Sequence, residues 1–364
     1  MKNMIRTRWV GSAAATALGL LLALLLGEVT LRLLWPAGAL APSHSDGFWL
    51  PRLQAQASAV LQADDMVPDA DLGWRMKPAY EASGVRHDPL GFRGTKGLAP
   101  APLSIRILAI GDSFAYGLGV RDGETFEALL EASPGVEVIN AGVNGYGIDQ
   151  AVLMWERHGR SLAPRVVVLT YYVDDFFRNG LSVREGPKPR FVLHEETGQV
   201  ELLGPQESLR RATDAQASAL AQLRLTEVAR QAWHRLQLRL GVVDEDALRP
   251  LARTSRYLLD RLNRSVQASG ARLVVMFIGH VHAGVAEHRW IEDEVLRSCR
   301  DLRIDCLDMV EEMAGPEWRE HYLPNAHWSP RGHRAAAAAL ARHLVERGGP
   351  DFAALVPPST ARAR

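Results

Sequence analysis

Hydrophobic and polar residues along this chain fall into three regimes. The first is one apolar run. From Trp9 to Gly27 no residue carries charge, and the run is long enough to cross a bilayer. Lys2, Arg6 and Arg8 precede it, and Glu28 and Arg32 lie near its far end, where long side chains reach the interface. Trp9 and Trp35 bracket it, as interfacial aromatics do. The second regime, residues 36–103, repeats proline, glycine and isolated tryptophan without a sustained period. Within it "DLGWRMKPAY" and "PLGFRG" read as short edge strands or a collar on the main domain.

From Ile105 a third regime alternates short apolar runs with helical spacing. "IRILAI", "VEVIN" and "RVVVLTYYV" read as strands. The third is β-branched and apolar throughout, as in a sheet covered on both faces. "TFEALLEA" and "IDQAVLMWERHG" separate them with helical periodicity. Residues 178–250 interrupt the pattern as an insertion or lid. In it one helix is predicted from about Leu209 to Leu240, with Leu220, Leu223, Val228, Leu236 and Leu240 on a packed face and Trp233 buried. The alternation resumes with helix "TSRYLLDRLNRSVQASG", strand "RLVVMFIG", helix "HRWIEDEVLRSC", strand "IDCLDM" and helix "SPRGHRAAAAALARHLVER". Ser329 suits the cap of the last helix and Pro330 its first position.

This order predicts an α/β fold: a flavodoxin-like three-layer α/β/α arrangement with a five-strand parallel sheet, plus an N-terminal transmembrane helix. The expected division is a basic flank over 1–8, an anchor over 9–35, a loop-rich segment over 36–103, the main domain over 104–350 and a tail over 351–364. Basic residues before the span predict a cytoplasmic N-terminus and an exported remainder, single-pass in the inner membrane of a bacterial envelope. A signal peptide cut after Ala39-Leu40-Ala41 is the rival. That site lies well beyond the apolar run and Pro42 follows it, which favours an uncleaved anchor.

Composition narrows the function. Of 364 residues 47% are hydrophobic, enough for a sizeable core, and 42 basic residues balance 42 acidic ones. A formal net charge of zero removes the usual electrostatic case for a nucleic-acid partner. Cys299 and Cys306 are the two cysteines. In an oxidising compartment they pair, and otherwise they are buried thiols. They are too few for a zinc site, and His280 and His282 in "GHVHAG" lack an evident third ligand. No cofactor is expected.

In parallel sheets of this kind ligands bind at the carboxyl ends of the strands. Ser113 follows the first strand in "IGDSFAYG", Gly142 the second in "NAGVNGYG", and Asp174 the third in "YYVDDFFRN". "PNAHWSPRGH" precedes the last helix and can return to the same rim. "GDSF", "NAGVNGYG" and "HWSPRGH", in that order, resemble the blocks of the SGNH hydrolase (GDSL esterase/lipase) superfamily. "GDSFAYGLGVRDGETF" resembles a bacterial branch with an N-terminal membrane segment. The likeness spans roughly residues 72–347. It implies Ser113 as nucleophile, His327 rather than His333 as base, and the main-chain N–H groups of Ser113 and Gly142 as oxyanion donors.

Two positions depart from the family pattern. The base has no aspartate two or three residues before it, only Pro324 and Asn325. Asn325 is expected to orient His327 through its amide oxygen. Asp174 stands where the family has a donating asparagine, and serves only as a protonated acid. Asn144, after the wrong strand, is the alternative donor. The resulting expectation is a serine esterase acting on an acyl ester, of an envelope lipid or an acylated polysaccharide. Its alternatives are an O-acyltransferase on an envelope glycan and a binding protein that has lost catalysis.

Overall fold

The computed structural model describes residues 2–35, 45–55, 64–94, 105–194, 196–217, 223–280, 286–348, 352 and 355. Ala39–Ala41, Pro42, Leu220, His282 and all but two residues of the 351–364 tail lie outside them.

Five strands form one parallel sheet: β1 (Ile105–Gly111), β2 (Val136–Gly142), β3 (Val166–Tyr172), β4 (Arg272–Ile278) and β5 (Asp305–Asp308), in spatial order β2-β1-β3-β4-β5. This is the predicted three-layer flavodoxin-like order. All seven residues of β3 are buried, because helices cover both faces of the sheet's middle. Helix Phe126–Glu131 packs with Pro330–Gly348, while Ile148–Met154 and Ala286–Leu302 pack with Glu245–Ala268. The register sets Gly111 beside Gly142, so the turns after β1 and β2 leave the sheet together. The order reverses between β1 and β3, the switch point at which such sheets bind ligands.

The segment before the sheet is a collar. Strands Met66–Asp69 and Gly73–Met76 pair as a hairpin, and its Trp74 is fully buried. Trp74 Nε1–H donates to the Asn144 carbonyl at 2.9 Å, and Tyr146 donates its hydroxyl to the Trp74 carbonyl at 2.5 Å. Gln150 reaches the Leu72 carbonyl at 2.8 Å. The collar thus clamps the turn after β2. Trp74→Ala should lower unfolding free energy by about 3–5 kcal/mol, the usual cost of emptying a large aromatic site. Chemical denaturation measures this, and a loss below about 1 kcal/mol would show that the collar is not integral.

The insertion differs from expectation. In place of one helix over Leu209–Leu240 there are two, Pro205–Gln216 and Arg224–Leu240, preceded by the hairpin Arg190–Leu193 with Val200–Leu203. The helix expected from Thr254 begins at Glu245, where the Asp244 side chain accepts the Ala247 N–H at 3.1 Å. Trp233 is not buried but exposed, as are Val228, Leu236 and Leu240. Helical periodicity identifies an apolar face without saying what covers it. Cys299 and Cys306 form a disulfide, their Cα atoms 6.2 Å apart. It ties the end of helix Ala286–Leu302 to β5. At the N-terminus, helix Lys2–Leu34 contains an apolar window, Ala15–Leu34, long enough to cross a membrane.

Candidate active site

β1 ends at Gly111, whose φ of 140° and contact with Thr170 leave no room for a side chain. The chain turns there into the short helix Ser113–Tyr116. Asp112 is its cap, accepting the Phe114 N–H at 2.9 Å. Ser113 is therefore not the cap but the first helical residue, whose N–H has no acceptor within the helix. Asn140, on β2, holds this helix by donating to the Ala115 carbonyl at 2.8 Å. Arg93, from "PLGFRG", donates to the Tyr116 and Gly117 carbonyls at 2.8 and 2.6 Å and binds Asp122 at 3.0 Å.

His327 reaches this helix from the loop before Pro330. Its Nε2 lies 2.8 Å from Ser113 Oγ, and its Nδ1 lies 3.1 Å from the Asn325 main-chain carbonyl. A carbonyl only accepts, so Nδ1 carries the proton and Nε2 presents a lone pair to the serine hydroxyl. Ala326 between them sits at φ 66°. This left-handed turn lets the peptide double back and face its carbonyl toward the ring. The Asn325 side chain does something else than expected: its Oδ1 accepts the His327 backbone N–H at 3.3 Å. Burial lowers the pKa of His327. The Asp112 charge and the Asn325 carbonyl oppose that shift, while Arg178 and Arg184 add to it.

His333 is buried one turn into the last helix, where its Nδ1 accepts the Phe126 N–H at 3.2 Å. Desolvation pushes its pKa down to about 3, so it is a neutral acceptor serving helix Phe126–Glu131.

Gly142 does not offer a free N–H. Asn140 Oδ1 accepts it at 3.0 Å, and a side chain at 142 would run into Ala115 and Tyr116. Its glycine is needed for close approach to the serine helix. Along the following turn, Val143 donates to the Gly111 carbonyl at 3.1 Å, Tyr146 to Val143 at 3.2 Å and Gly147 to the Gln150 side chain at 3.3 Å. Among the described residues the N–H groups of Asn144 and Gly145 have no such acceptor. Gly145 sits at φ 81°. The Asn144 carbonyl is taken by Trp74, and its side-chain Oδ1 is buried with no partner among the described residues.

A buried ion cluster ties these turns together. Arg178 Nη1 donates to Asp112 Oδ2 at 3.0 Å, to Asp175 Oδ1 at 2.5 Å and to the Tyr146 carbonyl at 2.9 Å. One guanidinium thus joins the residue before Ser113, the start of the helix after β3, and the turn after β2. Burial and the Asp112 charge hold the Asp175 carboxyl well above the usual range. Behind it the fully buried Lys188 binds Asp149 and donates to the carbonyls of Arg178 at 3.1 Å and Leu181 at 3.3 Å. Arg178, Arg93 and Lys188 escape sequence reasoning. Only the Asp175–Arg178 spacing, right for an i,i+3 pair, gives a signal.

Asp174 opens helix Asp175–Arg178 without capping it. It is half-buried on a cavity of about 300 Å³ whose wall also includes Trp49, Arg178, Arg184, His234 and His280. Ser113 and His327 do not line this cavity. Tyr172 lies between, its ring 4.8 Å from Phe114 and 6.3 Å from His280. Tyr116 points away, with its hydroxyl 3.0 Å from His87 Nε2. Trp328 is fully buried against Phe114, Phe126 and His333. No group of metal-ligating side chains occurs among the described residues.

No family model and no curated protein matches the chain. Among solved structures it is similar to the lipase/acylhydrolase from Enterococcus faecalis, at 13% identity over 70% of this chain and 98% of that one, with a TM-score of 0.41. It is also similar to Axe2, an acetylxylan esterase from Geobacillus stearothermophilus, at 14% identity over 67% and 97%, with a TM-score of 0.38.

Proposed function

We propose that this chain is a serine ester hydrolase of SGNH type, held at a membrane by its N-terminal helix. The observation that carries the reading is the 2.8 Å contact between Ser113 Oγ and His327 Nε2, with Nδ1–H donated to a main-chain carbonyl. A serine hydroxyl attacks an ester only when a base takes its proton. His327, neutral and locked in the correct tautomer, takes it through Nε2 and returns it to the leaving alcohol. Water then repeats the step on the acyl-enzyme. The Asn325 carbonyl orients the ring but supplies no full negative charge for the imidazolium. Asp112, a neighbouring carboxylate whose charge acts on His327, supplies part of that stabilisation through space.

The oxyanion is held by the Ser113 N–H together with an N–H of the Asn144–Gly145 turn, in place of Gly142. Each such donor is worth about 3 kcal/mol in the transition state. Asp174 lines the neighbouring cavity and is not required as a donor. The substrate is an acyl ester of the envelope, a lipid or an acylated polysaccharide. The Ala15–Leu34 window is an uncleaved anchor with the domain exported, and the Cys299–Cys306 disulfide agrees with an oxidising compartment.

Turnover of a panel of acyl esters of differing chain length, with labelling by a serine-reactive phosphonate, tests this reading. A correctly folded protein that neither turns over nor labels, with both restored by Asn325→Asp plus Asp174→Asn, would favour a binding protein that has lost catalysis.

A pH profile adds a second check. Catalysis needs neutral His327, whose pKa lies below its ordinary 6.5. Therefore kcat/KM should rise with pH along a limb centred below 6.5 and level off above it. Asn325→Asp adds a negative charge beside the ring, favours imidazolium and should move the limb to higher pH. A limb that Asn325→Asp leaves in place would remove His327 as the titrating base.

A further inference from the structure

We infer that helix Arg224–Leu240 lies flat in the lipid interface of the membrane that the N-terminal helix crosses, with its apolar face in the bilayer. The inference rests on the anchor reading and goes beyond it by assigning a second, non-spanning membrane contact.

The helix is built inside out. At 100° per residue, Leu225, Ala229, Trp233, Leu236 and Leu240 share one face. Trp233 is 61% exposed, Leu236 45% and Leu240 66%. The protein side of the same helix carries Glu227, buried, and His234, turned inward onto the cavity that holds Asp174, with Leu238 as its apolar residue. A surface helix of a soluble domain has the opposite arrangement. Arg235 and Arg239 flank the apolar face and have no ion-pair partner among the described residues. A Trp- and Leu-rich face edged by arginine is the composition of helices that lie in the headgroup region. With Arg224, Arg230, Arg235 and Arg239 in one helix, it is too charged to span.

What identifies the bilayer as the occupant is where the helix is seated. Its first turn rests on the apolar N-terminal helix. Glu28 accepts the Arg224 N–H at 3.0 Å and the Leu225 N–H at 3.1 Å, with Arg32 donating to Glu28 at 2.7 Å. Leu225 lies over Gly27. Glu28 and Arg32 are the charged residues of the Ala15–Leu34 window, and Glu28 stands roughly 9 Å along the axis from its end at Leu34. A carboxylate at that depth is costly unless paired. Here it caps a second helix and so fixes that helix at the membrane boundary. The opposite face of this helix, through His234 and Leu238, walls the cavity. In this placement the same helix separates the cavity from the lipid surface.

Full-length protein in lipid nanodiscs tests the inference, using tryptophan quenching by phospholipids brominated near the headgroup or near the chain end. Trp233→Phe and Trp35→Phe isolate the two contributions, and Trp233 is exposed enough for the change to leave folding intact. The expected result is a Trp233-dependent component quenched by shallow bromines and little by deep ones. Leu236→Glu with Leu240→Glu should abolish it. Quenching that depends on Trp35 but not on Trp233 would overturn the interfacial helix while leaving the anchor standing. Loss of both components, with the protein extracted by alkaline carbonate, would remove the anchor reading itself. Cross-linking between cysteines introduced at position 233 of two copies, with no shallow quenching, would assign the face to a second copy and overturn the inference.

Discussion

Ser113→Ala should reduce ester turnover by about 10²–10⁴-fold and abolish phosphonate labelling, without altering the denaturation midpoint. In serine proteases, loss of the serine or histidine costs on the order of 10⁶ in kcat, and loss of the aspartate alone on the order of 10⁴. Catalytic groups that act as a unit are not additive, so a site already lacking a carboxylate on Nδ1 has less to lose. Its ratio alone gives about 10². The upper part of the range reflects a difference from the aspartate-to-asparagine exchange, which puts the wrong tautomer in place. Here the Asn325 carbonyl accepts from Nδ1–H, so the tautomer is the productive one. His327→Ala should cost about as much, and the double variant no more than either. Unchanged turnover in Ser113→Ala would remove the nucleophile assignment and with it the hydrolase reading.

Arg178→Met should lower stability by about 3–5 kcal/mol, the usual cost of stranding a buried charge. Asp112 and Asp175 are both fully buried and both bind this one guanidinium. Without it two carboxylates face each other in a low-dielectric site, and one takes a proton. Asp175, whose carboxyl already lies above its ordinary value, is the one to do so. A carboxyl whose folded pKa is raised binds protons better folded than unfolded, so the variant's deficit should shrink as pH falls. Arg178→Met with Asp175→Asn should recover a large part of the loss, because one carboxylate has gone. Arg178 also holds the Tyr146 carbonyl, so kcat should stay depressed in the double variant even when it is folded. Denaturation midpoints at several pH values with ester kinetics measure both. A deficit that does not vary with pH would mean that lost packing, not stranded charge, sets the cost.

Alternating apolar runs and helical spacing from Ile105 onward determined the five parallel strands and their helices, because each period is written locally in residues a few positions apart. Two-sided burial of β3 was legible in "VVVLTYY" for the same reason. The order of the motif blocks placed Ser113, the turn after β2 and His327 on one rim, because strand order decides which loops meet. Hydrogen-bond partners were not legible, since they belong to pairs far apart in sequence. Asn140 takes the Gly142 N–H through its side-chain oxygen. Asn325 serves His327 through its carbonyl because Ala326 turns left-handed. Arg178, distant from both, joins Asp112 to Tyr146. The insertion shows the limit most plainly. Periodicity suggested one helix over about Leu209–Leu240 with a packed apolar face, whereas the structure has a separate helix Arg224–Leu240 with Trp233, Leu236 and Leu240 exposed, because a period does not say what covers a face. The seating of that helix on Glu28 and the outward Trp233, on which the interfacial proposal rests, belong to the tertiary structure, because the seating joins residues 196 and 197 positions apart.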